Sequence, residues 1–111
     1  MEISDESIDG VCVVTARGRL DGQASGPFAQ RIQALISAER PKLLIDFAGI
    51  DFVTSAGLRV VLTLLKQVKA ANGVFALCAV QAPVREVLDI TGFAGMIDIH
   101  PERKSALAAI A

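Results

Sequence analysis

The chain has 111 residues, a formal net charge of −1 with 11 basic and 12 acidic side chains, and 52% hydrophobic residues, with a mean hydropathy of +0.50. That length fits one domain, and the apolar content is ample for a core and leaves apolar surface for a partner. The near-balanced, intermixed charges give no basic footprint for nucleic acid, no basic-plus-apolar leader opens the chain, and no apolar run approaches the ~18 residues of a membrane span. The expectation is a soluble cytoplasmic protein with no nucleic-acid partner and no direct membrane insertion.

In chain order, Glu2 to Ser4 reads as a short strand, Ile8-Asp9-Gly10 as a turn, and Val11 to Arg17 as a Val- and Thr-rich strand, together an N-terminal hairpin. Gly18 to Gly22 is a turn. Ala24, Phe28, Ile32, Leu35 and Ile36 then recur at helical spacing through about Ala38, with Pro27 fitting only near the helix start. Leu43 to Phe47, behind Pro41, is a nearly continuous apolar run, as in a strand covered on both faces. From Leu58 the period changes. Leu58, Val61, Leu62, Leu65 and Val68 repeat at helical spacing over a helix from Ser55 to Ala71, which Asn72-Gly73 stops. Val74 to Val80 is a strand, Pro83 to Ile90 a short helix, Met96 to Ile99 a short strand, and Glu102 to Ile110 a final helix. Strands and helices alternate from residue 11 onward, which predicts one small α/β domain over residues 1–111 with a mixed sheet.

The functional signal lies where the central strand gives way to the second helix. Thr54 or Ser55 occupies the N-cap region there, where unpaired backbone N–H groups and the positive end of the helix dipole favour an anion. A phosphoryl group on Ser55 would be welcome in that setting. At ~100° per residue, Ser55, Arg59, Thr63 and Lys66 share one polar arc, so the serine faces water or a partner beside a cation. Val60 and Leu64 widen the apolar side of this helix. Two readings stand: packing against both the sheet and a neighbouring helix, or a docking surface next to Ser55.

The other candidates are weaker. Asp46 and Asp51 flank an expected turn at strand ends, where they could form or cap the turn or bind a divalent cation; the first role is preferred and no metal is expected. Cys12 and Cys78 stand 66 positions apart in apolar runs with no Cys-x-x-Cys pair, and read as reduced thiols acting as small hydrophobes. The lone His100 precedes Pro101 with no orienting partner in view and reads as a surface residue. Ser55 lacks a Gly-x-Ser-x-Gly elbow, and neither Gly49 nor Gly57 belongs to a phosphate-cradling Gly-x-Gly-x-x-Gly or Walker pattern. No enzymatic activity and no cofactor are expected. Cys12-Val13-Val14-Thr15 also lacks the acidic cluster that a response-regulator receiver carries after its first strand.

Asp46, Ile50-Asp51-Phe52 and Thr54-Ser55-Ala56-Gly57-Leu58 resemble the signature of STAS domains, specifically bacterial anti-sigma factor antagonists. The likeness extends to Gly18-Arg19-Leu20-Asp21, to Val74-Phe75-Ala76-Leu77-Cys78, and to the stretch from Pro83 to Phe93. It implies a mostly parallel-cored sheet of four to five strands with helices mainly on one face. It also implies that Ser55 is phosphorylated by a partner that is both anti-sigma factor and serine kinase, and restored by a serine phosphatase. Members with the best understood partner switch carry an acidic residue before the serine. Here Thr54 stands in that place and is a second candidate acceptor. Asp21, Asp46, Thr54, Ser55, Ala56, Gly57, Leu58, Arg59 and Leu62 are the residues expected to form the partner surface, with Asp21 and Asp46 shaping it near the serine. The same fold also suits a second role, as a soluble STAS subunit of a membrane-associated phospholipid-type ABC transporter, gripping an ATPase permanently.

Overall fold

A computed structural model describes residues 1–36 and 39–111. Its elements are β1 (Glu2–Ile8), β2 (Val11–Leu20), α1 (Gly22–Leu35), β3 (Lys42–Val53), α2 (Ser55–Ala70), β4 (Val74–Cys78), α3 (Ala82–Thr91), a 3₁₀ turn at Phe93–Gly95, β5 (Asp98–His100) and α4 (Arg103–Ile110). The sheet order is β1-β2-β3-β4-β5. β1 and β2 are antiparallel, and the three remaining pairings are parallel. This is the expected mixed, mostly parallel-cored α/β sheet.

The N-terminal hairpin turns on Asp9 and Gly10, both at positive φ (51° and 80°), the backbone that a two-residue Asp-Gly hairpin requires. Both of its strands outrun the expected bounds. β1 continues to Ile8 because residues 2 to 8 all pair with β2, although most are exposed and give little apolar signal. β2 runs through Gly18, at φ 119°, to Leu20, so the expected turn over Gly18 to Gly22 is instead strand followed by the start of α1. The helix begins at Gly22, and Pro27 falls in its second turn. α1 ends at Leu35 with Ile36 as its C-cap, and the expected extension to Ala38 lies outside the described residues.

The main correction concerns β3. It does not stop at Phe47 but runs from Lys42 to Val53, so Asp46 and Asp51 sit within a strand and flank no turn. Only its first part, Lys42 to Asp46, pairs with β4; the rest hangs on β2 alone, through two register shifts. β4 is shorter than expected, ending at Cys78, because Ala79 takes a left-handed φ of 56°. The last strand lies slightly later than expected, at Asp98–His100, since the 3₁₀ turn occupies the residues before it. His100 is accordingly a half-buried strand residue whose carbonyl accepts from the Ala79 N–H, not a surface junction residue.

Two apolar layers sandwich the sheet. α1, α2 and α3 cover one face through Phe28, Ile32, Leu58, Val61, Leu64, Leu65, Val68, Val84 and Leu88, packed on Val14, Leu43, Ile45 and Phe47. Among the described residues α4 alone covers part of the other face, where Ala106 and Ile110 meet Val11, Val13, Leu44, Ala76 and Cys78. Alternation along β3, with Leu43, Ile45 and Phe47 on one side and Leu44 on the other, explains why its sequence is apolar without a period of two. Among the described residues no helix is long and apolar enough to cross a membrane.

Candidate functional site

The site is built where β2 and β3 end side by side. Leu20 and Val53 are paired across the two strands, and each strand passes directly into a helix N-terminus. Asp21 is the N-cap of α1, accepting from the backbone N–H groups of Gln23 (3.1 Å) and Ala24 (3.0 Å). Thr54 is the N-cap of α2, its Oγ1 accepting from the Gly57 N–H at 3.3 Å. The two caps are stitched together through one carbonyl. Leu20 accepts from the Thr54 N–H at 3.1 Å and from the Thr54 hydroxyl at 3.4 Å.

Gly57 makes this approach possible. A Cβ there would lie 2.3 Å from the Leu20 carbonyl oxygen and 2.9 Å from its Cγ, so no side chain fits between the α2 turn and β2. Leu58 follows it inward, 7% exposed. Gly57 and Leu58 therefore shape the turn from beneath, and in this conformation they are not surface groups that a partner could grip.

Ser55 is the first residue of α2 and is exposed. Among the described residues its hydroxyl makes no hydrogen bond, whereas the half-buried Thr54 hydroxyl is engaged on both sides. The sequence left open which of the two caps the helix; the geometry gives the cap to Thr54 and leaves Ser55 accessible. The Ser55 and Ala56 N–H groups belong to the first turn, whose donors have no intrahelical acceptor, and the helix dipole adds positive potential there. Arg59 is exposed one turn further on, and the Thr63 hydroxyl is turned back to the Arg59 carbonyl at 2.9 Å. Arg19, paired with Phe52 across the strands, holds its guanidinium 4.3 Å from the centre of the exposed Phe52 ring. An open groove of about 550 Å³ beside Asp21 is lined by Met1, Gly18, Arg19, Gln23 and Pro27.

The wide apolar arc of α2 is explained by packing. Leu64 is fully buried in the main core, and Val60 and Leu62 are half-buried against the same core. Leu64 is thus no part of a docking surface; of the expected surface residues on this helix, Ser55 and Arg59 are exposed and Ala56 and Leu62 partly so.

Asp46 is not brought to Ser55. It is buried at 9% exposure on the sheet face that α4 covers, away from α2. Its Oδ1 accepts from the Ala48 N–H at 2.9 Å and its Oδ2 from Arg103 Nε at 3.1 Å. Arg103 also donates to Thr15 Oγ1 (2.6 Å) and Glu6 Oε1 (3.1 Å). Sequence reading missed Arg103 entirely, since nothing local marks an arginine at the start of the last helix as the partner of an aspartate 57 positions earlier.

Both cysteines are free. Cys78, buried in the α4 layer, has its thiol pushed up to about 11 by burial, with the Asp46 charge adding to the effect and Arg103 opposing it. Cys12 is only half-buried, less covered than its apolar run suggests, and its thiol is raised by burial and by Asp5. Among the described residues no group of three or more His, Cys, Asp or Glu side chains is placed to hold a metal ion.

The family model described as "STAS domain" matches residues 2–106. BtrV of Bordetella bronchiseptica is 29% identical over 109 residues, which cover 98% of this chain and 94% of that one. The anti-sigma F factor antagonist of Paenibacillus polymyxa is 26% identical over 111 residues, 99% of this chain and 95% of that one. Among solved structures, an anti-sigma factor antagonist from Mycobacterium paratuberculosis superposes with a TM-score of 0.88 at 26% identity, covering 98% of this chain and 92% of that one.

Proposed function

The chain belongs to the STAS domain family, and from that premise we propose that it is an anti-sigma factor antagonist whose binding is governed by phosphorylation at Ser55. Unmodified, it binds an anti-sigma factor that is also a serine kinase, and a sigma factor is released. With phosphate on Ser55 it lets go, and a serine phosphatase restores it. The chain itself supplies a surface, not catalysis.

The observation that carries this reading is the contrast between two adjacent hydroxyls. Thr54 is consumed as the N-cap and by Leu20, whereas Ser55 is exposed at the first position of α2 with its hydroxyl unengaged. A phosphate on Ser55 would add a charge of about −1.5 to −2 beside the first-turn N–H groups, which favour it, so the domain has no reason to refold. The cost falls on the partner, whose surface must meet and desolvate that charge. A penalty of about 3 kcal/mol would weaken binding by roughly two orders of magnitude. Two relatives covered over nearly their full length carry the antagonist name, which supports a binding module over a transporter subunit.

The test is to purify the protein from its native cells with phosphatase inhibitors, map phosphorylated residues by mass spectrometry, and compare Ser55→Ala and Ser55→Glu for bound partners. The expected result is phosphate on Ser55, an ATP-binding anti-sigma factor held by Ser55→Ala, and its loss with Ser55→Glu. An unmodified Ser55 under all growth conditions, with a transporter ATPase as the bound protein, would overturn the reading.

A further inference from the structure

Ser55 hangs from a part of β3 that has left β4 behind. Beyond Asp46 the strand pairs only with β2, and its register there is not continuous with the register above. Thr15 faces Asp46, but Arg17 faces Gly49, so two steps on β2 answer three on β3. The surplus residue makes a bulge, centred on Phe47 and Ala48. Because side chains alternate, one residue of slip exchanges the two faces of the stretch beyond it, up to the next slip. The bulge therefore decides that Ile50 points into the core, and a second shift, where Gly18 faces Ile50 but Arg19 faces Phe52, then brings Val53 inward and opposite Leu20 so that Thr54 meets the Leu20 carbonyl.

Side chains from distant elements hold this bulge. The Ala48 N–H is taken by Asp46 Oδ1 at 2.9 Å, and the Ala48 carbonyl accepts from Gln81 Nε2, at the start of α3, at 2.7 Å. Asp46 is itself gripped by Arg103 of α4, whose guanidinium also binds Thr15, the residue opposite Asp46 on β2. Arg103 thus clamps the last register pair before the slip from both strands. Gly49, just after it, has no room for a side chain: a Cβ would stand 2.6 Å from Arg17 Cγ and 3.0 Å from the Ala16 carbonyl oxygen.

We propose that Arg103 and Gln81 are positioning residues for Ser55: by fixing the Ala48 bulge, they hold the β3 extension in the register that presents the serine at the head of α2. The C-terminal helix and α3 are by this device coupled to a turn they do not need to touch. The functional meaning of the coupling rests on Ser55 being the modified residue; the coupling itself does not.

Amide hydrogen exchange followed by NMR on the full chain tests it, comparing Gln81→Ala and Arg103→Ala with the parent protein. The reporters are the Thr54 amide, bonded to Leu20, and the Leu58 amide, bonded to Thr54; the controls are Ala76 and Leu77 in β4, which report opening of the sheet as a whole. The expected result in both variants is exchange at Thr54 and Leu58 faster by about tenfold or more after division by the change at Ala76 and Leu77. Gln81→Ala leaves the apolar core and the Asp46–Arg103 pair intact, so it keeps the test valid if Arg103→Ala unfolds. Acceleration that is equal at reporters and controls, or absent at Thr54 and Leu58, would overturn the proposal. No partner protein enters the measurement, so its failure is distinct from failure of the antagonist reading.

Discussion

The backbone N–H of Thr54 donates to the carbonyl of Leu20 at 3.1 Å, and this one bond joins the end of β2 to the start of α2. The contact is close because Gly57 lies over the same carbonyl. Replacing it with alanine would put a Cβ 2.3 Å from that oxygen, a backbone atom that cannot swing aside. Gly57→Ala is expected to cost about 2 kcal/mol or more and to lower the thermal midpoint by roughly 8 °C. Calorimetry checks this. An unchanged midpoint would mean that the turn has another way to close.

Thr54 and Ser55 separate cleanly by substitution. Thr54→Ala removes the cap on the Gly57 N–H and should lower stability by about 1 kcal/mol. Ser55→Ala, at an exposed position with no bond to lose, should stay within about 0.5 kcal/mol. Urea unfolding of the two variants measures the difference. If the family reading holds, the less disruptive substitution is the one that abolishes phosphate incorporation.

Leu64 and Leu62 lie two residues apart on α2 and should behave differently. Leu64→Ala empties a fully buried position in the main core and is expected to cost about 3 kcal/mol. Leu62→Ala, at a half-buried position, should cost about 1 kcal/mol. Equal losses in denaturant melts would contradict the packing described for this helix.

Cys78 makes stability fall on the alkaline side. Its thiol is raised in the folded protein from 9.0 to about 11. Above pH 9 the unfolded chain therefore loses this proton before the native state does, and folding is progressively disfavoured until about pH 11. The stabilisation from the retained proton is present below pH 9, and its full loss is of order 3 kcal/mol. Comparing denaturant midpoints from pH 8 to 11 for the parent and Cys78→Ala should show a flatter profile in the variant, whatever its baseline. Parallel profiles would mean that the thiol ionises as readily in the fold as outside it.

Asp21 is expected to matter locally. Asp21→Ala strips two acceptor bonds from the first turn of α1, at a cost of about 1–2 kcal/mol. Asp21→Asn, which retains an acceptor oxygen, should recover most of it. Thermal melts of the pair provide the check, and an equal loss in both would point to the charge instead of the cap.

The local patterns of the sequence determined a good deal. The 3.6-residue repeat from Leu58 to Val68 fixes α2, and the apolar run at Leu43 to Phe47 fixes a strand buried on both faces, because periodicity and burial are written residue by residue. Asp9-Gly10 and Asn72-Gly73 mark a hairpin and a helix end, with Asp9, Gly10 and Asn72 at positive φ. The Thr-Ser-Ala-Gly-Leu turn points to one functional serine, and its resemblance to STAS signatures points to the family. Tertiary structure alone decided where the strands stop. β3 runs six residues past Phe47 to Val53 because it finds β2 to pair with, and no property of Ala48, Gly49 or Asp51 announces that partner. It also decided which apolar residues of α2 are covered, burying Leu64 fully while leaving Leu62 half-exposed. Asp46 belongs with Arg103 and not with Ser55 for the same reason. A hydrogen bond between residues 57 positions apart leaves no periodic trace in either segment, and it exists only once the sheet and α4 have set their side chains face to face.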